Sequence, residues 1–290
     1  MTERSAAIAT AYVEACLAEI EAPKPGNVHR YAAGHGMEVA DFVRSAEASA
    51  PAIAADGRRV GARIRRAVEA TLAAVGQNTN LGIVLLCAPL AAAAETLSSE
   101  LRPALQRVLE NLDRTDAADA FAAIAAANPG GLGRAERHDV REPATVTLRE
   151  AMQEAADRDR VARQYVTGYE DVFSIGLPAL RAAQAAGCDR RAATLAVYLA
   201  YLSAFPDTHL MRKFGAKAGG TVCAEAAPWR DACAKTADLA PLLEGLLAWD
   251  ASLKSRGLNP GTSADLTVAT LFALNLISLR GGHLALAPQQ

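Results

Sequence analysis

Apolar residues recur at spacings of three and four along almost the whole chain, and no segment alternates strictly between apolar and polar residues. A spacing of three and four places apolar side chains on one face of a helix, whereas strict alternation is the pattern of a half-buried strand. Ala and Leu dominate the hydrophobic residues, which make up 51% of the chain, and aromatic residues make up 5%. Alanine and leucine side chains lose little conformational entropy in a helix. The sequence therefore predicts an all-α fold whose helices pack closely through small side chains.

Clusters of Gly, Pro and Asn interrupt this pattern and mark the joints between helices. The predicted helices are 4–21, 38–55, 57–74, 81–96, 98–112, 115–127, 145–167, 169–187, 189–204, 207–214, 233–255 and 263–280. The joint at 128–144 is the longest irregular segment, and neither a fixed-period repeat nor a low-complexity linker divides the chain. We expect one compact domain over residues 1–290, with a ligand cleft formed by the loops between helices.

Charge and cysteine content argue against several classes of protein. The net charge of −2 gives no general attraction to nucleic acid or anionic lipid. The five cysteines form no C-x-x-C pair, which is typical of small buried side chains in a reducing compartment. The N-terminus opens a charged amphipathic helix, and the apolar runs at 83–94 and 266–279 are too short or too interrupted to span a bilayer. We expect a cytoplasmic enzyme or binding protein, monomeric or homo-oligomeric, that binds neither nucleic acid nor a membrane.

Polar side chains are concentrated in the joints, and the first such joint is Pro23-Lys-Pro-Gly-Asn-Val-His-Arg30. Its prolines stiffen the backbone, and Gly26 allows the backbone to approach a ligand closely. Lysine, histidine and arginine side chains can bind a phosphate, although a plain turn accounts for the same pattern. The candidate phosphate-binding residues here are Lys24, Asn27, His29 and Arg30.

The second joint, Gly76-Gln-Asn-Thr-Asn-Leu-Gly82, immediately precedes an apolar helix. One polar side chain is enough to cap a helix, and the free N–H groups of a helix N-terminus suit an anion. Three consecutive polar side chains exceed what a cap requires. The candidate nucleotide-binding residues here are Asn78, Thr79 and Asn80.

Two acidic residues of the third segment lie at predicted element ends, where a carboxylate is easily placed beside a metal ion or a ribose. These residues are Asp139 and Asp171. The charged residues between Glu154 and Gln164 are expected to form a solvated helix face.

The fourth joint is Phe205-Pro-Asp-Thr-His-Leu-Met-Arg-Lys213, followed by Lys217. Asp207 follows a proline and is either a helix N-cap or a carboxylate ligand of Mg²⁺. The candidate phosphate-binding or catalytic side chains here are His209, Lys213 and Lys217.

The fifth joint, Leu258-Asn-Pro-Gly-Thr-Ser-Ala-Asp-Leu266, opens the last predicted helix. Thr262 or Ser263 can cap this helix, and Ser263 is also a candidate phosphate-binding residue. Asp265 falls in the first turn, where it favours the helix dipole or serves as an oxygen ligand of Mg²⁺.

The sequence contains no P-loop motif, no G-x-S-x-G or H-E-x-x-H motif, and no histidine spacing typical of zinc sites. The glycines of Gly130-Gly-Leu-Gly133 follow a predicted helix and not a strand, so they do not form a dinucleotide loop. The residues alone therefore indicate an all-α protein whose helix ends bind an anionic ligand together with Mg²⁺.

Taken in order, these joints resemble motifs of the ATP:dephospho-CoA triphosphoribosyltransferase (triphosphoribosyl-dephospho-CoA synthase) family. Lys24-Pro-Gly-Asn-Val-His-Arg30 resembles the family motif KPGLVDR, and Asn78-Thr-Asn-Leu-Gly82 resembles NTHKG. Asp207-Thr-His-Leu resembles the family segment DTN-L, and Asn259-Pro-Gly-Thr-Ser-Ala-Asp-Leu266 resembles SPGGSADLL. The resemblance covers residues from about 10 to 280.

This resemblance implies an all-α transferase with ATP as substrate and Mg²⁺ as cofactor. In the implied reaction, a hydroxyl of dephospho-CoA attacks ribose C1′ of ATP, adenine leaves, and the triphosphoribosyl group is transferred. Breaking such a bond passes through an oxocarbenium-like state that nearby carboxylates stabilise. The candidate catalytic residues for such a reaction are Asp139, Asp171 and His209, and the candidate metal ligands are Asp207 and Asp265.

Several motif positions differ from the family and leave other functions open. Asn27 and His29 stand where the family motif has Leu and Asp, and Asn80 stands where it has His. A related phosphoribosyl-type transferase of another coenzyme pathway is one alternative. A non-catalytic relative that binds a nucleotide or CoA is another. A purely structural helical protein would explain the apolar helices but not the polar joints.

Overall fold

The computed structural model describes residues 2–96 and 100–280. Within this part of the chain the regular structure is helical, without any β-strand, which confirms the predicted all-α fold. The helices are α1 (Glu3–Glu21), α2 (Val39–Ile53), α3 (Val60–Val75), α4 (Leu81–Ala94), α5 (Leu101–Glu110), α6 (Arg114–Ala127), α7 (Leu148–Ala155), α8 (Arg160–Thr167), α9 (Leu177–Ala185), α10 (Arg190–Ala204), α11 (Thr208–Phe214), α12 (Ala216–Cys233), α13 (Ala240–Ser255) and α14 (Gly261–Arg280). A π-helical turn, Val172–Gly176, directly precedes α9.

The chain divides into two compact units. The first comprises Met1–Ala15, Val43–Tyr169 and Phe272–Gln290, and the second comprises Cys16–Phe42 and Glu170–Leu271. The organisation into a single domain therefore stays a prediction.

The core of the first unit is built around α4, whose side chains are buried on almost every side. Pro89 lies inside this helix and has no N–H, so it cannot bond the carbonyl of Leu85. The hydroxyl of Tyr165 donates to that carbonyl over 2.6 Å, and the hydroxyl of Tyr169 donates to the next carbonyl, that of Leu86, over 2.8 Å. The two tyrosines thus satisfy buried backbone acceptors beside the proline.

Helices α3 and α6 pack against each other at Gly61 in the same unit. A Cβ atom at Gly61 would lie 2.5 Å from the Cα of Asp116, so only glycine allows this approach. The Asp116 carboxylate accepts a hydrogen bond of 2.8 Å from the Gly61 amide.

The core of the second unit is formed by α10–α14, with Leu199, Leu202, Leu246 and Leu253 among its buried side chains. Helix α12 is absent from the predicted helices, because Gly219-Gly220 reads as a break in the sequence. In the structure Gly219 is a packing position, since a Cβ there would lie 2.8 Å from Met211 of α11.

The predicted helix at 145–167 is two helices, α7 and α8. The break falls at Asp159, whose carboxylate accepts hydrogen bonds from the amides of Val161 and Ala162 and so caps α8. The start of the predicted helix at 98–112 lies partly outside the described residues, and α5 begins at Leu101.

Helix α14 is long and apolar enough to cross a membrane by length and composition, although we expected the apolar run at 266–279 to be too short or too interrupted to do so. Within the described part of the chain, the 18-residue apolar window of this helix is 78% buried inside the protein, as in a core helix. Two of its hydroxyl groups bond within the helix: Thr267 and Thr270 donate to the carbonyls of Ser263 and Leu266.

Candidate functional site

The first, fourth and fifth polar joints contact one another within the second unit. Asn27 Nδ2 donates to Asn259 Oδ1 over 2.7 Å, which joins the first joint to the fifth. Gly26 has a φ of 84°, and a Cβ there would lie 2.8 Å from Pro260 Cδ. Glycine is therefore required at this position both by backbone conformation and by space. Three of the predicted joints thus form one cluster.

Asp207 connects the fourth joint to the fifth. Its Oδ1 accepts hydrogen bonds from the amides of His209 and Leu210, and so caps α11. Its Oδ2 accepts hydrogen bonds of 2.8 Å from the amide and the hydroxyl of Ser263 in the first turn of α14. The side chain of Asp207 is fully buried, and burial raises the pKa of its carboxyl, while these hydrogen bonds oppose the shift. One carboxylate therefore fixes the N-termini of two helices.

His209 packs directly against the first residue of α14. A Cβ at Gly261 would overlap the Nδ1 atom of His209, so this contact requires glycine. The amide of His209 also lies 3.1 Å from Thr262 Oγ1. Burial, together with the nearby charges of Arg212, Lys213 and His35, lowers the pKa of the imidazole to about 3. The ring is thus neutral and surrounded by cationic groups.

Lys24 is fully buried, and protein atoms surround its ammonium group. Its Nζ contacts Glu19 Oε1 at 2.6 Å, Asn27 Oδ1 at 2.9 Å and the carbonyl of Val28 at 2.6 Å. These contacts match the three donors that an ammonium group has. Burial raises the pKa of the Glu19 carboxyl and lowers the pKa of the Lys24 ammonium, while each charge partly offsets the shift of the other. The geometry gives Lys24 a structural role, and its contact with phosphate stays a prediction.

His29 is also buried, and it faces α13. Its Nδ1 accepts a hydrogen bond of 3.2 Å from the Tyr31 amide, and its Nε2 lies 3.3 Å from Asp250 Oδ2. Burial lowers the pKa of His29, and the interaction with the nearby Asp250 carboxylate opposes that shift. Asp250 and its neighbour Lys254 were not predicted as functional residues, because an Asp and a Lys four residues apart on a helix read as an ordinary surface pair.

The candidate phosphate-binding residues also include cationic side chains that are exposed. Lys213 lies in the last turn of α11 and Lys217 in the first turn of α12, and both side chains are exposed. Arg30 is exposed and forms an ion pair with Glu21. Its guanidinium lies 5.7 Å from the centre of the Tyr31 ring. These groups, and not Lys24, are accessible to an anionic ligand.

The second joint lies in the first unit, where its three polar side chains contact protein atoms. Asn78 Oδ1 accepts a hydrogen bond of 3.1 Å from the Leu81 amide at the start of α4. Thr79 Oγ1 lies 2.6 Å from Ser45 Oγ, and Asn80 Nδ2 lies 3.3 Å from Ser49 Oγ. Asn78 and Thr79 are half-buried and Asn80 is buried. Their nucleotide-binding roles stay predictions.

The remaining candidate acids lie in different surroundings. Asp139, in the first unit, accepts hydrogen bonds of 2.9 Å from the amides of Ala135 and Arg141, and these bonds lower the pKa of its carboxyl. Asp171, in the second unit, is buried immediately before the π-helical turn. Asp265 is half-buried and lies in the second turn of α14, not in the first turn as predicted, because this helix already begins at Gly261. Their catalytic and metal-binding roles stay predictions.

No cluster of three or more His, Cys, Asp or Glu side chains suited to a metal ion occurs in residues 2–96 and 100–280. A magnesium ion that arrives on a nucleotide needs only one or two carboxylates, so this finding does not bear on such a site.

Residues 5–283 match the family described as ATP:dephospho-CoA triphosphoribosyl transferase. The chain is also similar to the crystal structure of a "putative triphosphoribosyl-dephospho-coA synthase" from Archaeoglobus fulgidus. The two share 23% sequence identity with a TM-score of 0.60, over 79% of this chain and 95% of the other, which shows a common fold. No curated protein sequence matches the chain. The family match confirms the resemblance of the ordered motifs and the predicted class of enzyme, and the chain belongs to the ATP:dephospho-CoA triphosphoribosyl transferase family.

Proposed function

We propose that the protein transfers the triphosphoribosyl group of ATP to a hydroxyl of dephospho-CoA and releases adenine. The observation that carries this proposal is the family match over residues 5–283, which includes all five polar joints. Contacts among three of these joints in the second unit support it, because a transferase must hold its substrate in a fixed orientation.

In the proposed reaction, the acceptor oxygen forms a bond to ribose C1′ while the bond from C1′ to the adenine nitrogen breaks. The acceptor hydroxyl loses its proton, and adenine gains one on leaving. The triphosphate remains on the sugar. Positive charge develops at C1′ and the ring oxygen, and a carboxylate beside the ribose stabilises it. We assign this electrostatic role to Asp171 or Asp139.

The triphosphate needs cationic partners. Lys213, Lys217 and Arg30 supply them in this proposal, because their side chains are exposed while Lys24 is enclosed by protein atoms. His209, with a pKa near 3, is too weak a base to remove the proton of a hydroxyl at neutral pH. We therefore propose that its neutral ring orients a substrate through a hydrogen bond.

Magnesium enters this proposal as part of the substrate complex Mg·ATP. Asp207 is a poor direct ligand, because its two oxygens accept four hydrogen bonds from N–H and O–H groups. Asp265 is half-buried in the second turn of α14 and fits the role better. A hard carboxylate oxygen there would hold Mg²⁺ next to the triphosphate oxygens. We also propose a cytoplasmic location, since the five cysteines are free.

The experiment is an adenine-release assay with Mg·ATP, with and without dephospho-CoA. Lys213→Ala and Lys217→Ala are compared with Lys235→Ala, an exposed lysine at the other end of α12. We expect acceptor-dependent adenine release by the wild type, and a KM for ATP raised about tenfold in each of the first two variants but unchanged in the third. Equal KM values in all three variants would contradict the assigned phosphate contacts. Absence of adenine with dephospho-CoA would contradict the proposed acceptor.

A further inference from the structure

The first polar joint is held by a side chain from a distant part of the sequence. Asp250 of α13 is buried, and its Oδ1 accepts a hydrogen bond of 2.8 Å from the amide of Gly26. Its Oδ2 lies 3.3 Å from His29 Nε2. One carboxylate therefore contacts both ends of the short run between Gly26 and His29, in which the left-handed backbone of Gly26 forms the turn.

Lys254, one helical turn after Asp250, also holds this part of the chain. Its Nζ donates to Asp250 Oδ2 over 2.9 Å and to the carbonyl of Ala32 over 3.0 Å. Its methylene stem packs on Gly34, where a Cβ would lie 2.9 Å from Lys254 Cε. Asp250 and Lys254 thus hold residues 26–34 at four points.

Along residues 26–34, the first residues are buried and later ones have exposed side chains. Residues 22–29 are buried, whereas Arg30 and Tyr31 are exposed. His35 follows in a left-handed conformation with a φ of 57°, and its Nε2 lies 2.8 Å from the carbonyl of Gly26. The position of the exposed groups therefore depends on how the buried part is fixed.

We infer that Asp250 is a positioning residue for the transfer reaction, which acts by fixing residues 26–34 so that Arg30 meets the triphosphate of ATP. The inference rests on the proposed function. Asp250 touches no substrate in this account, and its effect is carried by Gly26 and His29. If a cationic group is displaced, the reaction loses much of the rate enhancement that orientation supplies. Loss of Asp250 therefore weakens ATP binding and slows turnover.

The test compares Asp250→Asn with a matched control on the same helix. Asparagine keeps an oxygen for the Gly26 amide but turns an NH₂ group, which cannot accept a hydrogen bond, toward Lys254 and His29. Glu225→Gln is the control: the Glu225 carboxylate binds Trp249 of α13 and Arg256, the residue after α13, so its neutralisation also weakens contacts of α13 without touching residues 26–34. Lys254→Gln is a second test variant, in case Asp250→Asn does not fold.

Three quantities are measured for each protein: the Kd for Mg·ATP by calorimetry, kcat and KM for adenine release, and amide hydrogen exchange in peptides covering residues 24–36. We expect Asp250→Asn to raise both the Kd and the KM for ATP on the order of tenfold to a hundredfold, and to accelerate exchange in that segment. Lys254→Gln should change them in the same direction by a smaller factor. Glu225→Gln should leave all three near the wild-type values.

A folded Asp250→Asn protein with wild-type Kd and KM would overturn the inference, and so would equal losses in Asp250→Asn and Glu225→Gln. If Asp250→Asn does not fold, wild-type values for Lys254→Gln would overturn it. A wild-type protein that binds Mg·ATP without releasing adenine would contradict the proposed function alone, since the Kd still tests Asp250. A wild-type protein that does neither would overturn both.

Discussion

Asp207 holds the first turn of α14 through Ser263, whose amide and hydroxyl both donate to the Oδ2 atom of the aspartate over 2.8 Å. The other carboxylate oxygen caps α11. This bridge joins two of the predicted polar joints, and it predicts that Asp207 contributes to stability independently of any metal ion.

Asp207→Asn should therefore destabilise the protein, because an amide has one acceptor oxygen where the carboxylate has two. Each buried donor left without an acceptor costs about 1–3 kcal/mol. Urea-induced unfolding without nucleotide or Mg²⁺ measures the loss. Ser263→Ala is the milder comparison, since it removes one hydroxyl and should cost about 1 kcal/mol. A free energy of unfolding for Asp207→Asn within about 0.5 kcal/mol of the wild type would contradict the bridging role.

The buried pair Glu19–Lys24 predicts a non-additive effect on stability. Lys24→Met leaves a buried carboxylate without its partner and should cost about 3–5 kcal/mol, as should Glu19→Leu, which leaves a buried ammonium. The double variant should recover much of this loss, because no buried charge remains. Denaturant unfolding of the four proteins gives the coupling free energy.

The exposed pair Arg30–Glu21 near the same joint is the control for that cycle. Its side chains are 47% and 36% exposed, so Arg30→Ala should cost less than about 1 kcal/mol in stability. Additive losses for Glu19 and Lys24, with no recovery in the double variant, would show that the buried pair does not govern the stability of this joint.

His209 predicts a dependence of stability on pH. The pKa of its ring is about 3 in the folded protein and 6.5 without the shift, so the unfolded chain binds more protons between these values. Stability should fall as the pH decreases from about 6.5 toward 3, with a slope of at most about 1.4 kcal/mol per pH unit for this one group. His209→Gln removes that contribution. Unfolding at pH 7 and pH 5 should show a smaller loss in the variant than in the wild type, and an equal loss would refute the assignment.

Alanine substitutions at Gly61 and Gly220 should have opposite effects on stability. Gly61→Ala would force Cβ against the backbone of Asp116 and separate α3 from α6, at a cost of about 1–3 kcal/mol or more. Gly220 lies inside α12 with no atom within 4 Å of a Cβ position, so Gly220→Ala should stabilise the protein by up to about 1 kcal/mol. Thermal unfolding of both variants checks the pair. A higher melting temperature for Gly61→Ala would contradict the close packing at that position.

The helical fold and the polar joints could be predicted from local sequence, because apolar spacing and helix caps act over a few residues. Asp207 was recognised as a candidate N-cap from the proline before it, and α11 begins there. Helix α12 was not predicted, because Gly219 suggested a break between helices. In the structure this glycine allows close packing against Met211.

The candidate site could be predicted only in part. The contact between Gly26 and Asp250 joins residues 224 positions apart, and no local pattern indicates it. The enclosure of Lys24 likewise depends on the burial of Glu19, in the last turn of α1. The sequence predicted the cationic residues of the joint, whereas tertiary packing decides which of them a ligand can reach.

The central claim is that the bond broken in ATP is the one at ribose C1′. ATP labelled with ¹⁴C in adenine and ³²P in the γ-phosphate, incubated with the protein, Mg²⁺ and dephospho-CoA, tests it in one measurement. The account predicts free ¹⁴C-adenine and a CoA-derived product that carries the ³²P label. Labelled phosphate or pyrophosphate together with ¹⁴C-ADP or ¹⁴C-AMP would contradict it, because the adenine would then have stayed on the ribose.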